Sequence, residues 1–156
     1  MKGLKRLAAA ILCGACLLMA FGCAMEKEPV AAADFAARMK EKGYEIVDVT
    51  SQMGGQVVSA TLAVGGNAAY QIEFYEVETE KQAKTAYAQN KATFEAEKGR
   101  FSSNYSNNGA NFNLYSQKSD GWYRYICRVE RTFVYASVPE QYRDAVQEAA
   151  KALGYS

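Results

Sequence analysis

The sequence predicts an α+β domain: antiparallel sheet of about six strands with helices packed on one face, in the order α-βββ-α-βββ-α. Three observations carry this. Residues 69–76 alternate strictly, with Tyr70, Ile72 and Phe74 on one face and Gln71, Glu73 and Tyr75 on the other. Residues 79–98 read as a capped amphipathic helix. Residues 113–138 read as strands joined by the tight turns Asp120-Gly121 and Glu130-Arg131.

Taken in order, 32–42 forms the first helix, because Phe35 and Met39 share a face at i,i+4 and Gly43 follows as a C-terminal cap. Strands follow over 44–50, 57–64 and 69–76, separated by Gly54-Gly55 and Gly65-Gly66-Asn67. Thr79-Glu80-Lys81-Gln82 is a capping box, in which the Thr hydroxyl and Gln amide satisfy N–H groups at a helix start. Ala83, Tyr87, Asn90 and Phe94 then form one inward stripe. Residues 99–111 are rich in Ser, Asn and Gly and read as a flexible loop. Strands are expected at 113–117, 121–129 and 132–138, and Pro139 opens a last helix with Tyr142, Val146, Ala149 and Leu153 inward and Gly154 at its end. Gly43-Tyr44 and Gly154-Tyr155 repeat one ending, which suggests two copies of an α-βββ unit.

The turn at Glu130-Arg131 fixes a register. If Val129 pairs with Thr132, Cys127 faces Val134 and Tyr125 faces Ala136, while Arg128, Ile126 and Arg124 face Phe133, Tyr135 and Ser137. One face then carries Trp122, Arg124, Ile126, Arg128, Phe133 and Tyr135. Either a further layer of the domain covers it, with the Arg stems reaching to water, or it is an open platform. Trp122, Arg124, Arg128 and Tyr135 are the candidate binding residues in the second case, for a glycan or a protein, since Arg and large aromatics carry most binding energy where accessible. Glu73 and Tyr75 extend the same face.

Composition removes many chemistries. The 156 residues contain no His, which excludes Ser-His-Asp and Cys-His nucleophile systems and all His-based metal sites. No Asp-rich calcium loop, Gly-rich phosphate loop or Ser-x-x-Lys motif is present. Glu73, Glu76, Glu78 and Glu80 are dense enough to suggest a carboxylate pair, but Glu78 and Glu80 flank a helix start, where the dipole accounts for them. The expectation is a non-enzyme with no catalytic residue, metal or cofactor.

The first 23 residues are an export signal: Met1 to Arg6 is basic, Leu7 to Gly22 is uncharged and apolar, and Gly22-Cys23 closes the run. That junction resembles the lipobox of bacterial lipoproteins. The resemblance implies cleavage after Gly22, a diacylglyceryl group on the Cys23 thiol (with palmitate among its acyl chains), and a protein held by lipid on the extracytoplasmic side of the cell membrane. The positions before Gly22 are Ala20 and Phe21, where the family has an aliphatic and a small residue, and Gly22-Cys23-Ala24 also fits ordinary secretory cleavage after Ala24. From the leader through the Gly-Tyr-Glu-Ile-Val-Asp and Tyr-Gln-Ile-Glu-Phe-Tyr strands, the chain loosely resembles small lipoproteins of Gram-positive gut bacteria, a likeness that implies no activity.

The expected organisation is a signal peptide over 1–22, a lipidated N-terminus and tether over 23–31, and a single domain over 32–156. Removing the leader takes Lys2, Lys5 and Arg6 and no acid, so 18 basic residues become 15 against 17 acidic ones. That near-neutral balance argues against a nucleic-acid partner. Cys13 and Cys16 leave with the leader and Cys23 is acylated, which strands Cys127 as a small buried hydrophobe.

Overall fold

The computed structural model describes residues 25–156; Gly22 and Cys23 lie outside them. The elements are α1 (Ala32–Glu41), β1 (Glu45–Asp48), β2 (Ser59–Gly65), β3 (Tyr70–Glu76), α2 (Glu80–Ala96), β4 (Ser102–Asn108), β5 (Phe112–Ser119), β6 (Trp122–Val129), β7 (Thr132–Pro139) and α3 (Arg143–Leu153). Short 3-10 turns at Thr50–Met53 and Glu140–Tyr142 complete the chain. The strands form one antiparallel sheet in the order β1-β2-β3-β7-β6-β5-β4. The α+β class holds, with one strand more than the periodicity shows.

The extra strand is β4, which replaces the loop expected over 99–111. Its seven residues, Ser-Ser-Asn-Tyr-Ser-Asn-Asn, have no apolar alternation and little intrinsic strand preference. Pairing with β5 from Ser102↔Ser119 to Asn108↔Asn113 supplies the backbone partners that propensity does not. The β6–β7 register is the expected one, from Val129↔Thr132 to Arg124↔Ser137, with Glu130 at φ 51° in the turn.

Helices cover both faces of the sheet, not one. On the first face α1 and α3 bury Phe35, Met39, Val146, Ala149 and Leu153 against Ile72, Phe74, Tyr125, Cys127, Val134 and Ala136. Phe35 stacks on Phe74 with ring centroids 5.0 Å apart. Phe35 and Met39 are fully buried, and each contributes about 1.5–3 kcal/mol by that burial. On the second face α2 sets Ala83, Tyr87 and Phe94 against Tyr115, Ile126 and Phe133. The reason is mutual: α2 has an apolar stripe to bury, and the sheet's second face is apolar over its central strands.

The capping box forms as expected, with the Gln82 N–H donating to Thr79 Oγ1 at 3.2 Å and the Thr79 N–H donating to Gln82 Oε1 at 2.9 Å. Both Gly-Tyr endings adopt the same closure. Gly43 and Gly154 take left-handed φ of 85° and 79°, and the N–H groups of Tyr44 and Tyr155 donate five residues back, to Met39 O at 3.1 Å and Ala150 O at 2.8 Å.

The residues read as a tether lie against the domain from Met25 onward. Ala110 N–H donates to Met25 O at 3.0 Å, Lys27 N–H to Asn111 Oδ1 at 2.9 Å, and Val30 N–H to Tyr155 Oη at 3.0 Å. Tyr155 is completely buried, so the C-terminal and N-terminal segments hold each other in place.

Candidate functional site

The second face divides at the β3–β7 boundary, where α2 covers β5, β6 and β7 and leaves β1 to β3 without a helix. A groove of about 890 Å³ follows this boundary. Its floor is two adjacent cross-strand pairs on one face, Glu73 opposite Tyr135 and Tyr75 opposite Phe133. Tyr75 and Phe133 stack with centroids 4.9 Å apart, and Tyr135 lies against Phe94 of α2 at 5.6 Å. One wall is the exposed flank of α2, with Gln82, Thr85, Ala86, Gln89 and Asn90; the other is Met53, Gln56 and Val57 from the segment between β1 and β2.

Glu73 is the acid of the groove, and its two oxygens are held by neutral donors. Gln71 Nε2 donates to Oε1 at 2.7 Å and Tyr75 Oη–H donates to Oε2 at 2.5 Å. Burial, then this bond to the carboxylate, raises the Tyr75 pKa well above the usual phenol value, and burial raises that of Tyr135. Both phenols stay protonated near neutrality, and that of Tyr75 donates to Glu73.

The structure scatters the four expected binding residues. Tyr135 lines the groove, half-buried. Trp122 is 44% exposed at the far end of β6, in register with Ser119 and Pro139 and away from the groove. Arg124 is largely covered, its side chain 13% exposed and paired through Nη2 with Glu97 Oε2 at 3.0 Å. Arg128 is 1% exposed, and its guanidinium bonds Asn113 Oδ1 at 2.9 Å, Glu130 O at 3.1 Å and Glu80 Oε1 at 3.2 Å. An open platform of Arg124 and Arg128 is therefore corrected: α2 lies over that part of the face. The alternative held beside it, a further layer of the domain, is what forms, although Arg128 stays inside and does not reach to water.

Sequence reasoning reached Glu73, Tyr75, Phe133 and Tyr135 by alternation, but missed the amide wall. A signal for it exists: Gln82, Ala86 and Gln89 run at helical spacing beside the buried row of Ala83, Tyr87 and Phe94. The other three acids of the Glu73 cluster, Glu76, Glu78 and Glu80, lie outside the groove lining. Glu76 pairs with Arg131 at 2.9 Å, Glu80 with Lys84 at 2.8 Å and with Arg128, and Glu78 is exposed outside the groove lining. Two carboxylates do not converge across the groove.

The groove of this α+β domain thus joins an aromatic floor, an amide-bearing flank of α2 and one carboxylate held by neutral donors. No family model matches the sequence, and no curated protein or solved structure matches it.

Proposed function

We propose that the protein is a membrane-anchored extracytoplasmic binding module that holds a small ligand in the β3–β7 groove without transforming it. The observation that carries this reading is the groove itself. Aromatic rings, amides and a single carboxylate are groups that orient a bound molecule, whereas hydrolysis by carboxylates needs two of them across one bond. The anchor is the Cys23 thiol, implied by the leader. Because Met25 already rests on the domain, acylation two residues earlier would hold the domain close to the membrane with almost no stalk.

The test is a ligand-observed NMR screen of the full-length chain in maltoside micelles against neutral sugars, amines and short peptides, repeated with Gln89→Trp to fill the groove. The expected result is at least one family of hits that Gln89→Trp abolishes while the melting temperature is kept. A screen without groove-dependent hits overturns the reading.

A second reading, an envelope interaction protein without a small ligand, draws on β4. This edge strand has no charged residue over Ser102–Asn108, and Phe101 and Tyr105 are 85% and 58% exposed. Unprotected edges of this kind pair readily with another strand.

A further inference from the structure

We propose that the ligand of the β3–β7 groove is an organic cation, a quaternary or primary ammonium seated on Tyr75 and Tyr135 against Glu73. This rests on the binding reading above and adds the chemical class of the ligand.

An ionised carboxyl offers about four acceptor positions, and Gln71 and Tyr75 each occupy one at Glu73. Among the described residues, the six ion pairs engage Glu76, Glu80, Glu95, Glu97 and Glu140, and none of them involves Glu73. A half-buried carboxylate held by two neutral donors and in no ion pair is a charge that a bound cation can meet at the groove floor, and Arg124, whose charge reaches Tyr135, is itself paired with Glu97.

The surroundings select the kind of cation. Glu73 and Tyr75 alternate along β3, and Tyr135 and Phe133 stand directly across on β7, so three rings adjoin one carboxylate on one face. Aromatic faces attract cations through their quadrupole, by about 0.5–2 kcal/mol per ring depending on desolvation. A metal ion would need several oxygen ligands, and the groove lining has one acid. A poorly hydrated ammonium carrying apolar substituents matches both the rings and the carboxylate. Lys81, the basic residue of the lining, is exposed in the first turn of α2, where its ammonium can turn into water.

The experiment compares two isosteric probes, choline and 3,3-dimethylbutan-1-ol, which differ in the charged nitrogen. Ring signals of Tyr75 and Tyr135 are followed by NMR in the full-length chain in maltoside micelles. Choline should shift both rings, the neutral alcohol should bind about tenfold more weakly, and Glu73→Gln should remove that preference. Equal binding of the two probes overturns the inference and leaves the groove as a binding site. So does a groove that takes a neutral hit from the broader screen and neither probe. A choline preference that survives Glu73→Gln places the cation elsewhere and also overturns it. The two-probe comparison on the unaltered chain needs no variant, so it remains decisive even if Glu73→Gln folds poorly; Tyr135→Leu, with a matched melting temperature, then reports whether choline sits on this floor.

Discussion

Arg128 Nη1 lies 3.2 Å from Glu80 Oε1, so a side chain rooted near the end of the inner strand β6 reaches the first turn of the helix that covers it. The guanidinium also bonds Asn113 across the β5–β6 ladder and the Glu130 carbonyl in the next turn. It ties three elements around the N-terminal end of α2. A buried Arg holds this position because its fork meets acceptors in several directions at once.

Arg128→Ala should therefore destabilise the domain by about 2–4 kcal/mol, through lost packing and the unpaired acceptors left behind. Glu80→Gln should cost much less, because its carboxylate is exposed to water and salt. Chemical denaturation of both variants checks this, and equal losses would mean that the Glu80 contact dominates the tie.

Acid should weaken the fold through two surface carboxylates. Hydrogen bonds from Thr50 hold Asp48 below the usual carboxylate range, and Lys84, with Arg128 behind it, does the same for Glu80. Both folded values are depressed, so their contribution is complete above the ordinary carboxylate range and disappears as pH falls through the lowered values. The melting temperature should decline below about pH 4.5. Asp48→Asn with Glu80→Gln should flatten that decline, and an unchanged slope would assign it to other acids.

Cys127 is completely buried between Tyr125 and Val129 on the face under α1 and α3, and burial pushes its thiol up to about 12. A raised thiol value favours folding fully below the unfolded value and loses that contribution as pH climbs toward the folded one. At pH 8 iodoacetamide should leave native Cys127 unmodified and label it rapidly in denaturant. Labelling of the native chain at a rate within about tenfold of the denatured rate would show that this face opens.

Trp122 is the chain's one tryptophan and is 44% exposed. Acrylamide should quench its fluorescence in the folded protein, and Trp122→Ala should cost about 1 kcal/mol or less. Because Trp122 lies outside the groove, groove ligands should leave its emission unchanged. A ligand-dependent shift would place binding at that end of the sheet instead.

The proposed anchor predicts that wild-type protein partitions into detergent and that Cys23→Ser releases it to the aqueous phase. Phase separation of cell extracts measures both. Equal partitioning of the two proteins would make the apolar leader itself the attachment.

Local patterns determined much of this structure. Strict alternation placed Glu73, Tyr75 and Phe74 on their faces, the Glu130-Arg131 turn set the whole β6–β7 register, and the Thr79–Gln82 box began α2 where it was expected. Each depends on neighbours within a few residues, so the chain states them directly. Other features depended on distant partners. Ser102–Asn108 is a strand because β5 offers it an edge, not because of its own residues. Arg128 is buried because α2 crosses above it and Asn113 and Glu130 supply acceptors, and nothing along β6 separates it from an exposed Arg. The groove follows from where α2 stops covering the sheet, which brings Gln82 and Gln89 across from Glu73 and Tyr135. Alternation says which residues share a face; only packing of the second layer decides which of them meet water.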